Sequence, residues 1–128
     1  MNLIAIADIL VAANLGIKGK NLFVNMMPPE VTQAVLLKGR LTGVKINHEL
    51  PGYYQTKFNV VIRGTDYSIA AHGGFVDSVV DALTFNSIIV GDMYVNYSRP
   101  KYLPQVFPLS TGNILEWNTE FDLCYTDN

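Results

Sequence analysis

The stretch GYYQTKFNVVIRGTDYSIAAHGGFVDSVVDAL, residues Gly52 to Leu83, decides the fold. In its first half Tyr54, Thr56, Phe58, Val60 and Ile62 alternate with Tyr53, Gln55, Lys57, Asn59 and Arg63, and Val61 falls among the second set. Side chains on a strand point alternately to its two faces, so one face is fit for a core and the other looks elsewhere. The second half changes period. Ile69, His72, Phe75 or Val76, Val79, Val80 and Leu83 recur at helical spacing, and Asp66 or Ser68 offers a cap. The Gly73-Gly74 pair sits inside that expected helix, weakens it by about 1 kcal/mol per glycine relative to alanine, and points to a close approach of a neighbouring backbone.

A second clean alternation closes the chain. Leu115, Trp117, Thr119, Phe121, Leu123 and Tyr125 share one face, and Glu116, Asn118, Glu120 and Asp122 share the other with Cys124. It reads as the antiparallel neighbour of the first long strand in one curved sheet. Upstream, Leu3, Ile6, Ala7, Leu10 and Val11 form the buried stripe of a first helix, widened by Ile4 and Ile9 and stopped at Asn14 and Gly16. NLFVNMM reads as a short strand closed by Pro28 and Pro29. VTQAVLLKG, Val31 to Gly39, fits a strand ending at a glycine turn or a helix opened by proline, and periodicity leaves 31–38 open between them. LTGVKINHELPGYY is an exposed hairpin or excursion, and FNSIIVGDMYVNY a strand that leads into SRPKYLPQVFPLSTGN, Ser98 to Asn113. The resulting order is helix, two strands, long strand, helix, strand, strand. Helices on one side of a mostly antiparallel sheet make an α+β fold, and 128 residues suit one domain.

Composition excludes several function classes. The formal charge of −2 gives no overall grip on a nucleic-acid duplex. The charge is unevenly spread: Lys18 to Arg63 holds seven basic and two acidic residues, and Gly64 onward holds two basic and eight acidic. The halves either neutralise each other within the fold or present unlike surfaces that favour association between copies. One cysteine, Cys124, permits no intrachain disulfide and fits a reducing compartment. The apolar start MNLIAIADILVAANLGI contains Asp8, lacks a basic leader and is too short to span a bilayer, so no membrane role is expected.

Chemistry-bearing motifs are equally sparse. His48 and His72 have no accompanying metal-ligand spacing, so no metal or other cofactor is expected. Asp66, Ser68 and His72 lie close in sequence without a nucleophile elbow, and a Ser or Asp at a helix start already has capping work. GIKGK, Gly16 to Lys20, lacks P-loop spacing and reads as a turn with solvated lysines, with Lys18 and Lys20 as candidates for contacts to another chain. Asp77 and Asp81 stand one helical turn apart, where like charges repel slightly. Tyr102, Leu103, Val106 and Phe107 between Pro100, Pro104 and Pro108 make either a loop folded back on its own core or a stiffened contact arm, and Met26 and Met27 either fill a local gap or offer an adaptable surface.

NMMPPEVTQAVLL and TGVKINHELPGYYQTKFNVVIRGTDYSIAAHGGFVDSVVDAL, followed by strands with proline-rich joins, resemble the small minor capsid and tail terminator proteins of tailed bacteriophages. The resemblance covers most of the chain in order and length. It departs at AHGG, where alanine or charged helix formers would stand. It implies a curved sheet flanked by two helices and a homo-hexameric ring on the tail tube, which ends tube polymerisation and joins tail to head. The implied partners are the major tail tube protein, a head-completion or connector protein, and phage DNA that crosses the lumen without sequence-specific binding. The implied place is the head-tail junction of the virion, after assembly in the host cytoplasm, with no catalysis. Lys57, Asn59, Arg63, Asp77 and Asp81 are the implied subunit or lumen contacts. Lys18, Lys20, Met26, Met27, Arg99, Tyr102 and Phe107 are the implied docking residues for tail or head. A head-completion or connector adaptor docked below the portal is the alternative.

Overall fold

In the computed structural model the two alternating runs become strands β3, Tyr53–Gly64, and β7, Leu115–Asp127, paired antiparallel over the whole length of β3 from Tyr53 opposite Thr126 to Gly64 opposite Leu115. Residues 1–39, 44–108 and 114–127 are described, without the side chains of residues 67, 107 and 108. Phe58 stacks on Phe121 at 5.2 Å between ring centroids, and Tyr54 on Tyr125 at 5.0 Å. Each pair joins opposite residues on the same face, the arrangement in which cross-strand aromatics stabilise a sheet.

The remaining elements are helix α1 (Leu3–Ala12), β1 (Leu22–Val24), β2 (Ala34–Lys38), a 3-10 turn (Tyr67–Ala70), helix α2 (Phe75–Ala82), β4 (Phe85–Val90), β5 (Met93–Pro100) and β6 (Gln105–Pro108). The sheet is open, in the order β1-β2-β3-β7-β5-β4, and among the described strands only β1 and β2 pair parallel. β6 and β5 share the far flank of β7, β6 along Leu115 to Asn118 and β5 along Phe121 to Asp127. Leu3, Ile6, Ala7 and Leu10 of α1 and Val76 and Val79 of α2 join one apolar cluster with Phe58, Val60, Ile62, Trp117, Phe121 and Leu123. Both helices therefore cover the same sheet face, and the Lys57 side of β3 is left without a helix. This is the α+β arrangement expected from the sequence. Among the described residues no helix is long and apolar enough to cross a membrane.

Several local expectations change. The open question at 31–38 resolves to strand over Ala34–Lys38, while Val31 to Gln33 lie in the bend before it: Ala34 to Leu37 are all buried, and a strand covered on both faces shows no alternation to read. Asn14, rather than Gly16, ends α1. Its φ of 59° places it in the left-handed region, with Leu15 N–H donating to the Leu10 carbonyl at 2.9 Å and Asn14 N–H to that of Val11 at 3.0 Å, a Schellman closure. Val11 and Ile4, expected in the buried stripe, are exposed. FNSIIVGDMYVNY is a hairpin rather than one strand, because Gly91 adopts φ 59° and reverses the chain between Val90 and Met93. The joining arm is shorter than expected. Ser98–Pro100 end β5, Gln105–Pro108 are β6, and 109–113 lie outside the described residues. Within the exposed excursion, Val44 to Gly52 form turns and extended chain, and Leu41 to Gly43 lie outside the described residues.

The single helix expected from Asp66 to Leu83 is two pieces. Asp66 Oδ1 accepts the Ser68 N–H at 2.9 Å and caps the 3-10 turn; Gly73 then turns with φ 77°, and α2 begins afresh after Gly74. Asp77 reaches back to accept the Gly73 N–H at 2.9 Å. A Cβ on Gly74 would lie 2.7 Å from the Ile69 carbonyl oxygen and 2.8 Å from that of Ala71. The close approach anticipated at this glycine pair is thus within the chain.

Three substitutions check this account by urea denaturation. Phe121→Ala is expected to lower the unfolding free energy by about 3–5 kcal/mol, as for other buried aromatic truncations. Gly74→Ala is expected to cost about 1–3 kcal/mol through overpacking against carbonyl oxygens, whereas Gly73→Asn, which keeps a residue tolerant of positive φ, costs less. Equal tolerance of all three would contradict the packing described.

Candidate assembly interface

The sheet face without helices carries most of the charge the sequence singled out. The strand pairing sets Lys57 opposite Asp122, Asn59 opposite Glu120 and Arg63 opposite Glu116, and beyond β7 sets Arg99 opposite Asp122. Acidic residues thus run down β7 between basic neighbours on both sides. Lys57 Nζ lies 3.3 Å from Glu120 Oε1, and Lys101 Nζ lies 3.7 Å from the same oxygen. Of the two readings of the uneven charge, neutralisation within the fold is what this face displays. Such half-exposed pairs add little stability each, so their effect is a compensated surface.

Arg63 differs from its neighbours. Its Nε donates to Glu116 Oε2 at 2.8 Å, and its Nη1 donates to the carbonyls of Pro28 at 3.3 Å and Val31 at 3.2 Å. The guanidinium therefore pins the proline turn against β3. Lys57 and Asn59 remain on the open face, Lys57 partly covered and Asn59 exposed. Asp81 stands exposed on α2, whereas Asp77 is held by the Gly73 N–H and lies 3.8 Å from Nδ1 of the fully exposed His72. Asp66 is committed to its cap. The backbone and side-chain hydrogen bonds from Ser68 hold its carboxyl below the ordinary 3.8. Burial, and then Tyr54 and Asp127, push the Tyr125 hydroxyl up.

The expected docking residues are dispersed. Lys18 pairs with Asp8 of α1, and Lys20 is exposed in the adjoining turn. Met26 is largely exposed and Met27 half-buried beside the proline turn. Arg99 lies over the Tyr97 ring, 4.2 Å from its centroid. Phe107 pairs through its backbone with Glu116, and its side chain lies outside the description. The arm Lys101–Pro104 is pinned at both main-chain positions before its tip: Lys101 N–H donates to the Glu120 carbonyl at 2.7 Å, and the Tyr102 carbonyl accepts from Thr119 Oγ1 at 2.7 Å. Thr119 is buried, which accounts for a hydroxyl in an otherwise apolar stripe. Leu103 at the tip is 83% exposed.

Two further features were not singled out as sites in the sequence. A recess of about 250 Å³ opens at the end of β2 and β3, with Ile69, Phe75 and Ala34 as apolar walls and Gln33, Thr65 and Asp66 among its polar lining. No motif marks it, because its residues come from four separate segments. The second is the free edge of β4, whose segment FNSIIV has no charge or proline and exposes Ile88 and Ile89. Among the described residues no group of three His, Cys, Asp or Glu side chains is placed to hold a metal ion.

With this geometry in place, comparison with solved structures finds a likeness along nearly the whole chain. It is to a chain of a virion. That chain belongs to the virion of a native gene transfer agent (GTA) particle, and the superposition covers 94% of this chain and 85% of that one, with a TM-score of 0.61 and 10% identity. At that identity the likeness is one of fold. No family model matches the chain, and no curated protein matches its sequence.

Two measurements test the local chemistry. Arg63→Ala is expected to cost about 2–3 kcal/mol in urea denaturation, since it strips charge-assisted bonds and leaves Glu116 without its partner. Arg63→Lys should recover less than half, because an ammonium cannot replace the fork; a cost below about 0.5 kcal/mol for Arg63→Ala would contradict the clamp. For Asp66 the folded carboxyl titrates below its unfolded value, so its contribution is present above 3.8 and lost as pH falls through the lower folded value. Asp66→Asn retains an acceptor and removes this increment. Wild type should therefore lose stability relative to Asp66→Asn on acidification, and parallel acid limbs would contradict it.

Proposed function

We propose that this chain is a noncatalytic structural protein of a tailed-phage-like virion, a tail terminator that closes as a homo-hexameric ring on the tail tube. In this reading the ring stops tube polymerisation and presents the surface that meets the head. The observation that carries the proposal is the fold likeness to a chain of a gene transfer agent virion over 94% of this chain. The order of motifs resembling tail terminators agrees with it.

Three features of the surface support an assembling role. Leu103 and Met26 are each 83% exposed and Ile89 is 62% exposed, side chains suited to burial between copies. The β4 edge lacks the charges and prolines with which solitary sheets protect themselves. The helix-free face offers compensated rather than uniformly basic charge, which suits a wall along which DNA passes without being held. On this reading the chain acts in the virion at the head-tail junction after assembly in the host cytoplasm. It meets the major tail tube protein on one side and a head-completion or connector protein on the other, without a cofactor.

The test is tail assembly with and without the chain, followed by electron microscopy. Tubes of one length, capped and competent to join filled heads, are expected when it is present; overlong tubes that do not join heads are expected when it is absent. Uniform tubes and normal joining in its absence would sink the proposal. Uniform tubes together with heads that lose DNA would point instead to an adaptor docked below the portal.

A further inference from the structure

The exposed arm tip and the recess lie on opposite sides of β7. The arm leaves β5 on the far flank of β7, and the recess opens on the near side at the ends of β2 and β3. We propose that the arm Arg99–Pro104 of one copy docks into the recess of the next, Leu103 entering between Ile69 and Phe75. This deepens the ring reading and rests on it for self-association.

Shape, stiffness and charge each contribute. An apolar space of about 150 Å³ accepts a benzene-sized group, so a recess of about 250 Å³ accommodates a leucyl side chain with part of its flanking backbone. Pro100 and Pro104 bracket the tip, and the bonds to Glu120 and Thr119 hold its base, so little freedom remains to be lost on docking. The arm side carries Arg99 and Lys101 with no acidic residue from Arg99 to Val106. The recess lining holds two charged residues, Arg63 and Asp66, and Arg63 is already paired with Glu116 at 2.8 Å. Among the described residues Arg99 has no carboxylate at ion-pair distance, so its charge is available to a partner.

The contact is heterologous: each copy offers an arm and accepts one. Such interfaces close into rings when the rotation per copy allows it. A self-complementary contact would stop at a dimer.

The test uses sedimentation of the wild-type chain and of two surface variants, Leu103→Asp and Gln33→Lys, over a concentration series. Leu103 and Gln33 are both exposed, so each variant should unfold at the wild-type urea concentration. The wild type is expected to associate, and each variant alone to weaken association by at least about thirty-fold, the effect of losing a central contact. Mixing the two variants is expected to restore association, halted at two chains, because the intact Gln33→Lys arm meets the intact Leu103→Asp recess. Wild-type association unchanged by Leu103→Asp would overturn the docking proposal and leave the ring reading standing. Two monomeric variants that stay monomeric when mixed would overturn the arm-to-recess pairing. A wild type monomeric at every concentration would overturn both.

Discussion

The pairing of β3 with β7, residue for residue from Tyr53 opposite Thr126 to Gly64 opposite Leu115, is the constraint on which the rest of this structure depends. A strand's side chains alternate between faces, so slipping β7 by one residue against β3 would turn Phe121 outward and draw Glu120 toward the core while Phe58 stayed inside, breaking the aromatic pair. The register leaves only one face able to receive the helices. It fixes where β2 and β5 add, and it places the Thr119 hydroxyl where it can pin the arm at Tyr102. The same pairing creates the opposite face. There the acidic residues of β7 meet Lys57 and Arg63 on one side, and Arg99 and Lys101 come in from the other.

From that arrangement a division of labour follows. Arg63 and Asp77 were attractive as outward contacts, yet both work inside the chain, one holding the Pro28–Val31 turn and the other the start of α2. Lys57 and Glu120 compensate each other. What remains uncommitted is mostly apolar: Leu103 on its stiff arm, the recess beside Ile69, and the Ile88–Ile89 edge. A protein that pairs Lys57, Arg63 and Lys101 with its own glutamates, and leaves large apolar groups exposed beside an Arg99 unpaired among the described residues, is suited to bind its own kind chiefly through shape and burial.

Much of the fold was legible because two long strands each have one face in a core and one toward solvent. Tyr54 to Ile62 and Leu115 to Tyr125 could be paired on that pattern alone. β2 was not legible, because burial on both faces of Ala34–Leu37 erases alternation. The break between the 3-10 turn and α2 was hidden by helical spacing that continues from Ile69 to Leu83 across a left-handed Gly73. The hairpin at Gly91 was hidden in a run that is apolar on both sides of its turn. Site residues were harder still. Lys57 and Asn59 could be placed on a face from alternation, but the clamp at Arg63 joins residues far apart in sequence, and the recess draws on four segments. The arm alone carried a local signal, Tyr102 and Leu103 confined between Pro100 and Pro104.

The central claim is that these leftover surfaces close identical chains into a ring. Native mass measurement at rising concentration, with and without tail tube protein, tests it most directly. The account predicts a discrete species at six times the 14.2 kDa chain, with no unlimited series of larger ones. A strictly monomeric chain under every condition, tube protein included, would contradict it.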